Sequence, residues 1–114
     1  MNIYIKVEVE TRELLSRLLL GMYAAAKKHN VLLGDGELLS LVEKNKLKPG
    51  IVFEKSITPS ITRIEQLKNY KKFGSKLTSI DEEGVIKDNF NTLLNSRFSD
   101  ETISLSDKIF CWGK

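Results

Sequence analysis

From the third residue on, Ile3, Ile5, Val7 and Val9 alternate with Tyr4, Lys6, Glu8 and Glu10. A period of two is that of a half-buried strand. The period then changes. Thr11 offers an N-cap with Glu13 in the first turn, and "RELLSRLLLGMYAAAKKHN" follows as a long helix stopped at Asn30. Leu14, Leu18, Met22 and Ala25 share one stripe, with Leu15, Leu19 and Ala26 beside it. Arg12, Glu13, Ser16, Arg17, Lys27 and Lys28 mark the more polar side. On that side Glu13 and Arg17 read as a surface pair spaced i to i+4.

The same switching continues along the chain. "VLLGD" reads as a second strand ending at Gly34, and "GELLSLVEKNKL" as a helix closed by Pro49-Gly50. "GIVFEKS" is a third strand. Pro59 and Ser60 open a third helix, "SITRIEQLKNYKKFG", with Ile61, Ile64, Leu67 and Tyr70 or Lys71 inward and Gly74 as its stop. "KLTSI" is a fourth strand. After a less regular stretch, Ser99 caps a last short helix, "DETISLSD", before a fifth strand, "KIFCWG". Strand and helix in alternation predict a parallel sheet covered on both faces, with right-handed crossovers. The expectation over residues 1–114 is one α/β domain, a Rossmann-like three-layer αβα sandwich of about five strands. Its natural strand order would be 3-2-1-4-5.

Composition narrows the function classes. A chain of 114 residues can bury a core without disulfides or metal. Eighteen Lys and Arg against fifteen Asp and Glu give a net charge of +3. The only dense cationic run, Lys68-Asn-Tyr-Lys-Lys72, reads as a solvated helical face, which argues against nucleic acid. Cys111 is the one cysteine. It lies in the apolar "KIFCW" and reads as a buried thiol. With His29 the only histidine, no Cys/His metal site can be assembled. The first ten residues lack a signal peptide's apolar region, and the longest apolar stretch, "LLLGMYAAA", is too short to span a bilayer. A cytoplasmic location is expected.

In an open parallel sheet, ligands bind beyond the carboxyl ends of the strands. The residues that follow the five strands are therefore the candidates. They are Glu8 and Glu10 with Thr11 and Arg12, then Gly34 and Asp35, then Lys55 and Ser56, then Asp81 to Gly84, and finally Trp112 and Gly113. The first turn, "VEVETRE", lacks the glycines of a dinucleotide fingerprint. Thr11 and the helix start behind it could still hold an anion, and Arg12 in that first turn is placed to face the crevice. The triplet Asp81-Glu82-Glu83 crowds like charges, which raises a carboxyl pKa and makes a better base near neutrality. A phosphate-accepting receiver would need an aspartate after the third strand, where "FEKS" offers Glu54 instead.

Four blocks in order carry a family resemblance: "IYIKVEVETRELLSRLLLG", "GIVFEKSITPS", "SIDEEG" and "SDETISLSDKIFCWGK". Together they resemble bacterial surface carbohydrate biosynthesis proteins, glycosyltransferase-like proteins of capsule and lipopolysaccharide gene clusters, over essentially the whole chain. The resemblance implies the N-terminal, acceptor-side half of a longer two-domain architecture. A second Rossmann-like domain would grip the nucleotide-sugar donor, so this chain alone would be incomplete for turnover. Glu82-Glu83-Gly84 is also similar to an acidic-acidic-glycine motif of bacterial sialyltransferases, whose carboxylate is the general base towards the acceptor hydroxyl. That likeness implies Glu82 or Glu83 as the base, Asp81 as support, and Gly84 as the place where the backbone turns. Glu8, Thr11, Arg12, Lys55, Ser56, Asp81 and Gly84 are then the substrate-binding candidates. The implied partners are a nucleotide-sugar donor and a carbohydrate acceptor, with no cofactor, metal or nucleic acid. Peripheral association with the inner face of the membrane and a homo-oligomer are both compatible with it. The competing reading is a non-catalytic α/β binding or scaffold module that pairs with another subunit.

Overall fold

In the computed structural model, residues 1–55, 57–80 and 99–110 are described. Along the chain run β1 (Asn2–Lys6), α1 (Glu10–Ala26), β2 (Asn30–Gly34), α2 (Gly36–Glu43), β3 (Ile51–Glu54), α3 (Ile61–Lys72), β4 (Lys76–Ile80), α4 (Asp100–Leu105) and β5 (Lys108–Phe110). All strand pairs are parallel, so the anticipated α/β Rossmann-like architecture is the one observed.

The strand order is β2-β1-β3-β4-β5, not 3-2-1-4-5. β3 inserts beside β1, with Ile3, Tyr4 and Ile5 opposite Ile51, Val52 and Phe53. The physical reason is that β1 is built to lie between two partner strands and β2 to lie at an edge. Tyr4 and Ile5 are both fully buried, one on each face, whereas no residue of β2 is buried. Gly50 lets the two backbones close up, because a Cβ there would collide with the Asn2 carbonyl. The Tyr4 hydroxyl ties the same junction by donating to the Lys48 carbonyl at 2.6 Å.

Alternation along the strands separates the two faces. Tyr4, Val52 and Leu77 join Leu39 and Val42 of α2 and Leu67 and Tyr70 of α3 in one core, with Ile57. Each such apolar side chain contributes roughly 1.5–3 kcal/mol. Ile5 points the other way, towards α1. Ser60 and Ser99 cap α3 and α4 as read from the sequence, and Asp35 caps α2 by accepting from the Glu37 N–H. Gly74 turns at φ +90° behind α3.

Three local expectations are overturned. The N-cap of α1 is Val9, not Thr11, and its side chain caps nothing. Glu13 satisfies the helix start instead, its Oε2 accepting from the Val9 N–H at 2.7 Å and the Glu8 N–H at 3.0 Å. At the far end, α1 closes at Lys27, and Asn30 opens β2 rather than ending the helix. In α3, Ile61 is exposed while Leu67 and Tyr70 are buried, and Lys71 reaches out to Asp107.

α1 is also turned over relative to its apparent polarity. Glu13, Arg17 and Gly21, four residues apart, are its buried stripe. Leu15 is 84% exposed and Met22 68%. So Glu13 and Arg17 are not a surface pair. Gly21 lets the helix seat on β2, where a Cβ would stand 3.2 Å from Val31 and 3.3 Å from Leu33. The two charged side chains reach the region around the end of β3, Glu13 towards Lys55 and Arg17 towards Phe53. Among the described residues no helix is long and apolar enough to cross a membrane.

Candidate functional site at the carboxyl edge of the sheet

β1 ends at Lys6, β3 at Glu54, and the strand order reverses between them. Glu54 is fully buried at this point. Its Oε1 accepts from Arg63 Nη1 at 3.0 Å and from the Tyr70 hydroxyl at 3.3 Å, and its Oε2 lies 3.5 Å from Lys6 Nζ. The local sequence explains the convergence. Ser60 accepts from the Arg63 N–H and starts α3, so Arg63 in the first turn can fold back over the end of β3. A buried carboxylate is tolerated only with such compensation, here two cations and a hydroxyl. Burial, and then the Glu54 charge, push the Tyr70 hydroxyl pKa far above its ordinary range.

Over this cluster opens a crevice of about 350 Å³, lined by Lys6, Glu43, Ser60, Thr62, Arg63 and Gln66. Arg63 Nη1 also donates to Gln66 Oε1 at 2.8 Å, and Asn69 donates to Glu43 Oε1 at 3.1 Å. The walls carry Lys6 and Arg63 against Glu43, and the buried Glu54 beneath them offsets the remaining charge, so the lining is rich in donors and acceptors with little net charge around it.

A second hollow of about 480 Å³ lies across the ends of β1 and β2. Glu8, Glu10 and Asp35 line it on one hand, and Val7, Leu14, Leu33 and Gly34 on the other. Beside it, Lys55 Nζ stands 3.5 Å from Glu13 Oε1 and 3.7 Å from Glu8 Oε2. Burial works against the Glu13 carboxylate, but the Val9 and Glu8 N–H groups and then Lys55 outweigh it and hold its pKa below the ordinary value. Arg17 lies over the Phe53 ring, 5.4 Å from its centroid, within cation–π range.

Of the residues singled out from the sequence, Glu8, Glu10, Gly34 and Asp35 line the second hollow, and Lys55 stands beside it. Thr11 and Arg12 are exposed in the first turn of α1, and neither lines the two cavities. Ser56, Asp81, Glu82, Glu83 and Gly84 lie outside the described residues, as do Trp112 and Gly113. Lys6, Glu13, Glu54, Arg63 and Gln66 were not anticipated. A glutamate closing the apolar run "IVFE", with an arginine three residues after a capping serine, is the signal that could have found two of them. Among the described residues no group of three His, Cys, Asp or Glu is arranged to hold a metal ion.

Fold and edge together define a parallel α/β domain of Rossmann-like type, with its polar side chains gathered where β1 and β3 part. No protein-family model matches the chain, and no curated protein is significantly similar to it. The strand order is the one used by flavodoxins and by phosphate-accepting receivers. The receiver's aspartate position at the end of β3 is taken here by Glu54, buried and already paired with Arg63.

Proposed function

We propose that this chain is the acceptor-side, carbohydrate-binding domain of a glycosyltransferase-like protein of surface polysaccharide biosynthesis. The observation that carries the reading is the crevice walled by Lys6, Glu43, Ser60, Thr62, Arg63 and Gln66. A sugar hydroxyl both donates and accepts, so it is matched by a wall that mixes ammonium, guanidinium, amide, hydroxyl and carboxylate groups. Arg63, Gln66 and Lys6 are held in place by Glu54 and by each other, so little side-chain freedom is lost when a ligand arrives. The balance of charge suits a neutral polyol better than a phosphate-rich donor, which the second domain of the implied architecture would hold. In this reading Glu82 or Glu83 takes the proton from the acceptor hydroxyl as its oxygen attacks the anomeric carbon and the nucleotide departs. A positioned general base contributes on the order of a hundred- to ten-thousand-fold.

The test is a titration of the isotope-labelled chain with N-acetylglucosamine, galactose and UDP, followed through the backbone amides. Millimolar sugar should move the Ser60, Thr62 and Gln66 resonances, Gln66→Ala should weaken that response several-fold, and UDP should leave them in place. Silence of these resonances towards both sugars would remove the reading.

A further inference from the structure

We infer that the outward face of α1 is the interface of a two-fold symmetric dimer of this chain. Leu15, Leu18, Leu19, Met22 and Tyr23 are exposed on it, between 41% and 84% each, with Ala26 beside them. They lie opposite the buried stripe of Glu13, Arg17 and Gly21, so turning the helix inward is not open to the fold. Together they leave on the order of 600 Å² of largely apolar surface in water, at the top of the range for the largest patch on a monomer and approaching the ~800 Å² per partner of a stable interface.

The spacing points to a helix as the occupant. Leu15, Leu19, Met22 and Ala26 follow one another at intervals of four, three and four, the seam of left-handed helix pairing. The order of sizes points to a second copy. When two such helices run antiparallel about a two-fold axis, Leu15 of one meets Ala26 of the other, and Leu19 meets Met22. Large faces small at both ends, and the middle is filled.

Sedimentation of the full chain up to about 100 μM, with a cysteine-pairing experiment, tests this. The expected species has twice the 13.0 kDa chain mass, and Leu19→Glu should return it to a monomer with unchanged circular dichroism. In a Cys111→Ser background, Leu15→Cys together with Ala26→Cys should cross-link into a covalent dimer under mild oxidation, and neither change alone should do so. Positions 15 and 26 are about 16 Å apart along one helix, so the bond can form only between chains. A monomer throughout that range would overturn the inference, as would cross-linking of the single variants as readily as the double. Binding of a monomeric chain to phosphatidylglycerol vesicles would also overturn it, by making a bilayer the occupant.

Discussion

Glu13 Oε1 and Lys55 Nζ stand 3.5 Å apart with both side chains almost out of water, and Glu13 Oε2 closes the start of α1 on two backbone N–H groups. One carboxylate therefore starts a helix and neutralises a buried ammonium from the neighbouring crossover. Removing it leaves Lys55 with less countercharge and two N–H donors without their acceptor. Glu13→Ala should lose about 3 kcal/mol of unfolding free energy in urea. Glu13→Gln keeps an acceptor and should lose about half as much. An alanine variant with the parent's midpoint would refute the double role.

Acid should undo the same contacts. The folded pKa of Glu13 lies below its ordinary 4.5, and that of Asp107 below 3.8. For Asp107, burial opposes ionisation, but the Lys71 ammonium and the Leu77 N–H at 2.7 Å prevail. As pH falls, the unfolded chain takes up these protons first. The stabilisation is therefore complete above about pH 5 and lost as pH drops towards the folded values. Urea midpoints followed from neutral to acid pH should fall in that window, and less steeply in Glu13→Gln.

At the alkaline end the sign reverses at Tyr70. Its hydroxyl is ordinarily ionised above 10.0, and burial beside Glu54 raises that threshold in the fold. The unfolded chain releases the proton first, so stability should fall once pH passes the ordinary value. Tyr70→Phe should lose about 1 kcal/mol at neutral pH, for the hydrogen bond to Glu54, and show a shallower alkaline decline. Phenolate absorbance should show no Tyr70 contribution before the fold opens.

Two glycines should respond in opposite ways to alanine. At Gly50 the new methyl meets the Asn2 carbonyl, part of β1 itself, and the strand must shift. A loss of about 3 kcal/mol is expected. Gly36 begins α2, and a methyl added there would have no neighbour within 4 Å, so Gly36→Ala should gain about 0.5 kcal/mol. Thermal melts of the two variants would check the contrast.

Much of the fold was legible because its signals are local. Strand periods, the capping side chains of Ser60 and Ser99, and the turn at Gly74 all act within a few residues. Strand order was not, since the choice between β3 and β4 as the second partner of β1 rests on contacts such as Tyr4 to Lys48, far apart in the chain. The orientation of α1 was hidden for a different reason. Its leucines surround most of the helix, so the stripe that faces the sheet is chosen by Gly21 and by the partners of Glu13 and Arg17, not by apolar count. The Lys6–Glu54–Arg63 cluster draws on three separate elements, and no spacing announces it.

The place of β1 between β2 and β3 also sets the timetable of synthesis. Of the five strands it leaves the ribosome first, yet Ile3 cannot meet Ile51 until α1, β2 and α2 have all been translated. Through that interval the nascent chain carries an apolar strand with one edge unsatisfied, the condition under which a young polypeptide most needs a chaperone's shelter.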